Sequence, residues 1–182
     1  MLEVELKFPV DDLAVVRERL ATLGGAPAAA VEQADAYYNH PSRDFAQTDE
    51  ALRIRTNDDA SFVTYKGPKR GGVTKTRREI ELPLAGGDRD GWAEILTSLG
   101  FAHVATVKKH RTPFALTYDG RSAEVTLDEV DGVGTYVEIE TIASGDDDLK
   151  AAEACVAAVA WELGLSAPER RSYLEMLLAT EA

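Results

Sequence analysis

At 182 residues, 45% of them hydrophobic and with no Pro/Gly/Ser-rich linker, the chain is expected to form a single domain over 1–182 with a sizeable core. A formal net charge of −12 argues against a nucleic-acid partner, because phosphate backbones are held by a surplus of Lys and Arg. Cys155 is the only cysteine, which excludes a disulfide framework, and neither a membrane-span-length apolar stretch nor an apolar leader is legible, so no membrane partner and a cytoplasmic address are expected.

The opening stretch alternates Leu2, Val4, Leu6 and Phe8 with Glu3, Glu5 and Lys7, a strand with one apolar and one charged face. Asp11 or Asp12 can cap a helix whose apolar positions Leu13, Val16 and Leu20 recur at helical spacing until Gly24-Gly25. Residues 33–39 read as a strand with Asp35, Tyr37 and Asn39 on one face. Strands at 51–56 and 61–66 form a hairpin, closed by Gly67-Pro68 and a basic Gly-rich turn that is read as a solvated loop in preference to a cover over a site. A strand over 73–82 places Lys75, Arg77, Glu79 and Glu81 on one face. A helix around 92–99, capped by Asp88 or Asp90, is followed by strands at 104–111, 113–118, 122–130 and 134–142. The C-terminal quarter is helical, with an Ala-rich segment from about 147 to 163 and another helix beginning near Pro168.

Like-charged pairs two residues apart recur on these strands: Glu3/Glu5, Arg53/Arg55, Glu79/Glu81, Lys109/Arg111 and Glu138/Glu140. One such pair is ordinary sheet surface. About eight short strands without βαβ alternation, however, suggest a closed antiparallel barrel of the α+β class. The amphipathic helices need the apolar faces, so they pack outside and the charges point inward. That interior would gather Glu3, Glu5, Glu79, Glu81, Asp128, Glu138 and Glu140 with Lys7, Arg53, Arg55, Lys66, Lys109 and Arg111, seven carboxylates against six cations. Unpaired buried ions are costly, so the lumen is either water-filled and self-paired or built for a ligand with alternating charge. A triphosphate with divalent metal fits: Arg and Lys take its oxygens, and carboxylates hold Mg²⁺ or Mn²⁺. Residues i and i+2 on a strand lie about 6.8 Å apart on one face, which makes Glu3/Glu5 and Glu138/Glu140 the leading metal ligands.

Glu3-x-Glu5-x-Lys7 resembles the ExExK signature of the CYTH superfamily, the triphosphate tunnel metalloenzymes, which include class IV adenylyl cyclases and thiamine triphosphatases. The resemblance continues in order through Gln33-x-Asp35-x-Tyr37-Tyr38, Leu52-Arg53-Ile54-Arg55, Thr64-Tyr65-Lys66-Gly67-Pro68, Arg78-Glu79-x-Glu81, Lys108-Lys109-x-Arg111, Leu127-Asp128-Glu129-Val130, Tyr136-Val137-Glu138-Ile139-Glu140 and Ser172-Tyr173-Leu174-Glu175. It implies an eight-stranded antiparallel tunnel with Glu3, Glu5, Glu138 and Glu140 on metal and Asp128 as a further ligand or positioning carboxylate. Lys7, Arg53, Arg55, Lys66, Lys109 and Arg111 would hold the phosphates, with Lys109 and Arg111 stabilising developing charge. Glu79 and Glu81 match the family's acidic strand, Lys75 and Arg77 are additional cations by face, and Lys108 should point away.

The resemblance to the class IV branch implies conversion of ATP to cyclic AMP and pyrophosphate. The alternatives are hydrolysis of thiamine triphosphate, a nucleoside triphosphate or tripolyphosphate, and a noncatalytic polyphosphate-binding module; anion binding alone would not call for so many carboxylates. His40, His103 and His110 lack metal-type spacing and read as surface or loop residues, and Cys155 reads as core.

Overall fold

The computed structural model describes residues 2–58, 60–69, 74–84, 86 and 88–180. β1 (Leu2–Pro9) is central to it: Leu2, Val4, Leu6 and Phe8 are buried in the main apolar cluster, and Glu5 and Lys7, pointing the opposite way, are buried too. A strand with both faces covered has a layer on each side. The outer layer is made by α1 (Leu13–Thr22) and α4 (Leu149–Glu162), whose Val16, Leu20, Val156 and Val159 pack on the apolar faces of β1, β8 (Ala102–Tyr118), β9 (Arg121–Val130) and β10 (Gly134–Ala143).

All strand pairs are antiparallel, in the path β6-β1-β10-β9-β8-β3-β4-β5-β7. β3 is Val31–Asn39, β4 Ala51–Asn57, β5 Ala60–Lys66, β6 Lys75–Arg77 and β7 Glu79–Pro83; the two-residue β2 (Ala26–Pro27) pairs with β8 off this path. The path starts on β6 and ends on β7, which adjoin in sequence across Arg78, so the chain itself carries the sheet from one edge to the other and the barrel is nearly closed. α3 (Arg89–Ser98) lies outside and covers Tyr38 and Ile54 through Leu96, whereas α5 (Tyr173–Thr180) packs Tyr173 and Met176 against Tyr37, Val107, Val130 and Tyr136, on the cavity side of their strands, with Tyr173 bordering the cavity.

Several expectations are corrected. Among the described residues there are ten strands, not eight: of the nine segments expected, two merge, the one over 73–82 breaks at Arg78, and β2 is added. Val73 and the turn residues 70–72 lie outside the described residues. The two strands expected at 104–111 and 113–118 are one, β8, running through Pro113. A proline is tolerated where no ladder bond is needed on its N–H side. Here β3 stops opposite Arg111, and Pro113 has lost that neighbour; its carbonyl accepts from the Ala28 N–H at 2.8 Å. The last helix begins at Tyr173, not near Pro168: Ser172 and Glu175 form a reciprocal capping box, each backbone N–H bonded to the other's side chain. A short helix, α2 (Phe45–Thr48), was not expected.

The expected caps resolve to Asp12, whose Oδ1 accepts from Ala14 N at 2.8 Å, and Asp88, whose Oδ1 accepts from Gly91 N at 2.9 Å. α1 ends where Gly24 takes a φ of +81°, a conformation that suits glycine, and Gly25 N returns to the Leu20 carbonyl at 2.8 Å. Among the described residues no helix is long and apolar enough to cross a membrane.

Candidate functional site

Residues from all nine strands of the path border one cavity of about 390 Å³. β1 contributes Glu3, Glu5 and Lys7; β4 gives Arg53 and Arg55; β5 gives Lys66; β6 and β7 give Lys75, Arg77, Glu79 and Glu81. Lys109 and Arg111 enter from β8, and Glu138 and Glu140 from β10. The strand period of two puts each set on one side, and Lys108 between two buried neighbours is exposed. Register aligns the acids: Glu5 lies directly across from Glu140, and Lys7 across from Glu138.

Asp128 and Asp35 do not border the cavity; they support it from behind. Asp128 is fully buried and accepts Arg111 Nε at 2.7 Å on Oδ1, with Arg111 Nη2 and the Tyr173 hydroxyl (2.9 Å) on Oδ2. Asp35, 1% exposed, accepts Arg55 Nε at 2.7 Å and Arg55 Nη2 at 2.8 Å, and Arg53 Nη1 at 3.2 Å. Each of these carboxylates therefore aims a guanidinium. Further close pairs are Lys75 with Glu5 at 2.8 Å, Lys66 with Glu79, and Arg111 with Glu138, and longer ones join Lys66 to Glu3 at 3.7 Å and Arg53 to Glu79 and Glu81 at 3.8 Å. Lys7 and Arg77 are buried and form no ion pair among the described residues.

The electrostatics follow from this crowding. Burial and the neighbouring Lys75 charge push the Lys7 ammonium down to about 7, and burial and Arg111 push Lys109 down to about 8. Burial and Glu5 raise Glu140 to about 7, and burial drives Glu3 well above its ordinary value despite Lys66. Burial would also raise Glu79, but the hydrogen bond from Glu3 and the Lys66 and Arg53 charges bring it down to about 2. Crowding in the cavity thus pushes the Glu3 and Glu140 carboxyls and the Lys7 and Lys109 ammoniums toward their neutral forms.

The four carboxylates Glu3, Glu5, Glu138 and Glu140 offer hard oxygen donors of the type that suits Mg²⁺ or Mn²⁺. Among the described residues no three His, Cys, Asp or Glu side chains stand close enough together to hold a metal ion as they are, because Glu5, Glu138 and Glu3 are turned to Lys75, Arg111 and the Lys66/Glu79 pair. The donor chemistry fits a divalent ion; the rotamers would have to release their cations first.

Sequence reasoning assigned no role to Asp35, Tyr173, Gln33, Asn57 or Glu124, although the last four border the cavity. For Asp35 the signal was present: Gln33, Asp35 and Tyr37 share one face of β3, and β4 alongside carries Arg53 and Arg55, but only the register Asp35↔Arg55 connects them. A smaller pocket of about 220 Å³ shares Tyr37, Arg53, Lys66, Arg77 and Ser172 with the cavity and continues among Phe45, Leu52, Leu174 and Leu178. The three histidines do not border the main cavity; His110 pairs with Glu32 on the exterior.

Comparison with known proteins gives concordant relatives. The family described as the CYTH domain matches residues 1–173. A Methanocaldococcus jannaschii protein, provisionally named an adenylate cyclase, is 41% identical over 140 residues, 77% of each chain. A Pyrococcus horikoshii protein of known structure is 40% identical and superimposes with a TM-score of 0.87 over 97% of this chain and 98% of its own. At 15% identity, a Hippeastrum protein described as a provisional adenylyl cyclase with a dominant triphosphatase activity shares the fold, with a TM-score of 0.68 over 98% of this chain and 95% of its own.

Proposed function

We propose, for a chain that belongs to the CYTH domain family, that the barrel cavity is a tunnel for the triphosphate tail of a small molecule and that the reaction run there is the cyclisation of ATP to cyclic AMP and pyrophosphate. The observation that carries the reading is the convergence of Lys7, Arg53, Arg55, Lys66, Lys109 and Arg111 with Glu3, Glu5, Glu138 and Glu140 on one cavity, where burial lowers the two ammoniums Lys7 and Lys109 and raises the Glu3 and Glu140 carboxyls. Phosphate oxygens would restore charge to Lys7 and Lys109, and a divalent cation would displace the protons of Glu3 and Glu140.

Roles follow position. Lys7, Arg53, Arg55, Lys66, Lys109 and Arg111 hold phosphate oxygens, joined by Arg77, a buried guanidinium without an ion pair among the described residues. Glu3, Glu5, Glu138 and Glu140 would hold Mg²⁺ or Mn²⁺, which supplies charge neutralisation and acidifies a bound hydroxyl. Asp128 aims Arg111, and Asp35 aims Arg53 and Arg55. The adjoining pocket, walled by Leu52, Leu174 and Leu178, would take the organic group. In cyclisation the ribose 3′-oxygen gives up its proton and bonds to the α-phosphorus, the bond from that phosphorus to the bridging oxygen breaks, and pyrophosphate leaves. Lys109 and Arg111, both buried, would meet the developing charge in a low-dielectric setting.

The second reading is hydrolysis, in which water attacks the terminal phosphorus of thiamine triphosphate, a nucleoside triphosphate or tripolyphosphate. It is favoured by the activity described for the Hippeastrum relative and by a cavity whose grip on phosphates is independent of which phosphorus meets the nucleophile. Incubating the purified protein with ATP, thiamine triphosphate and tripolyphosphate, each with Mg²⁺ or Mn²⁺, decides between them. Cyclic AMP with pyrophosphate selects the cyclase, orthophosphate selects the hydrolase, and tight binding without turnover replaces both with a binding module.

A further inference from the structure

Arg77 apart, the cations around the cavity are counterbalanced in two different ways. Arg53, Arg55, Lys66, Lys75 and Arg111 each touch a carboxylate. Lys7, 1% exposed, touches none among the described residues; its ammonium lies 4.0 Å from the centroid of the Tyr173 ring. Lys109, 4% exposed, has Asp128 no nearer than 3.8 Å and stands 5.1 Å from the same ring. An ammonium removed from water with no partner is costly. An aromatic face offsets part of that cost through its quadrupole. Unlike a carboxylate, the ring leaves the positive charge uncancelled, so an arriving anion does not have to displace a competing anion from it.

Tyr173 is itself held firmly. Its hydroxyl donates to Asp128 Oδ2 at 2.9 Å, and its ring meets Tyr136 edge-on at 5.3 Å between centroids. The Ser172/Glu175 capping box fixes the start of α5, and the Glu169 N–H bonds to the Lys7 carbonyl at 2.7 Å, tying the approach to α5 onto β1. The ring is therefore presented from a helix end anchored at several points.

We propose that Tyr173 is a positioning residue of the tunnel: its ring keeps the Lys7 and Lys109 ammoniums directed at the ligand's phosphates without neutralising them, while its hydroxyl holds Asp128 against Arg111. The ligand part of this inference rests on the triphosphate reading above; the placement of the ammoniums does not.

Two measurements test it. In protein carrying ¹³C-labelled lysine, ring-current shielding should move two lysine side-chain methylene signals upfield in the wild type and in Tyr173→Phe; in Tyr173→Leu the Lys109 signal should return to its ordinary position and the Lys7 signal should lose most of its shift, keeping the part due to Tyr136 at 5.8 Å. Ordinary lysine signals in the wild type would overturn the placement. Replacing residue 173 by phenylalanine and then by mono-, di- and trifluorophenylalanine weakens the quadrupole at nearly constant volume, so packing is preserved even if Tyr173→Leu fails to fold. Affinity for tripolyphosphate, measured calorimetrically, should fall stepwise by about 2- to 30-fold across that series. An affinity that stays level from phenylalanine to trifluorophenylalanine overturns the positioning role. A wild type that binds no tripolyphosphate sinks the triphosphate reading instead, and the lysine signals then decide the ring's part by themselves.

Discussion

Asp35→Asn removes one negative charge from behind the cavity and keeps the side chain's shape. In the native protein that carboxylate is the only ion-pair partner of Arg55 among the described residues, at 2.7 Å, whereas Arg53 keeps Glu79 and Glu81 at 3.8 Å each. Breaking a buried pair from one side costs about 3–5 kcal/mol, because the surviving charge is left uncompensated. The residual partners of Arg53 place the expected cost near the lower end, about 3 kcal/mol. For a chain of this size that is a fall in melting temperature of roughly 6–12 °C. The pH dependence has a definite sign. Burial opposes ionisation of Asp35, but Arg53 and Arg55 outweigh it and hold the carboxyl well below its ordinary value, so its stabilisation is complete above about pH 4 and is lost as pH falls further. Melting curves by circular dichroism, taken from pH 3 to 8 with and without tripolyphosphate, should show a wild type that weakens more steeply in acid than the variant. The ligand should also recover part of the variant's deficit by supplying oxygens to the freed guanidiniums. A variant melting within 2 °C of wild type, or a deficit untouched by tripolyphosphate, would refute the idea that Asp35 counterbalances ligand-binding arginines.

Glu138→Ala should abolish metal-dependent turnover with an unchanged circular dichroism spectrum, since Arg111 retains its two hydrogen bonds to Asp128; undiminished turnover removes Glu138 from the ligand set. For Glu140, raised to about 7 by burial and Glu5, the sign is opposite to that of Asp35: its contribution is present below about pH 4.3 and lost as pH rises through 7. Metal-free protein should accordingly lose melting temperature between pH 5 and 8 and regain it with Mg²⁺, and both effects should be smaller in Glu140→Gln, where Glu3 is the raised carboxyl that is left. Filling the apolar pocket by Leu178→Trp should raise KM for ATP by on the order of tenfold, the equivalent of about 1.4 kcal/mol of lost contact, and leave tripolyphosphate affinity unchanged. An equal loss for both ligands would show that the pocket is not where the organic group sits.

Much of the site was legible because strand periodicity is strict. Once β1 is read as Leu2/Val4/Leu6/Phe8 against Glu3/Glu5/Lys7, the side of every residue follows, and Glu138 and Glu140 on β10 obey the same parity. What could not be read was pairing between distant strands. Asp35 looked like one polar residue among several until register set it across from Arg55, and Tyr173 was one letter of a C-terminal motif until α5 brought it beneath Lys7. The errors in element boundaries have local causes. Pro113 argues for a break wherever a strand has neighbours on both sides, and it sits just beyond the end of β3. Pro168 suggests a helix start, but Ser172 and Glu175 provide the stronger one four residues later, and that motif was legible in the sequence.

The most direct test is a crystal of this protein grown with tripolyphosphate and Mn²⁺, with the metal located by anomalous scattering. Phosphorus atoms inside the barrel within hydrogen-bond reach of Lys7, Arg53, Lys109 and Arg111, and manganese on the carboxylates of β1 and β10, are what this account predicts. Tripolyphosphate lodged on the outer surface, with the ion pairs of the interior undisturbed, would contradict it.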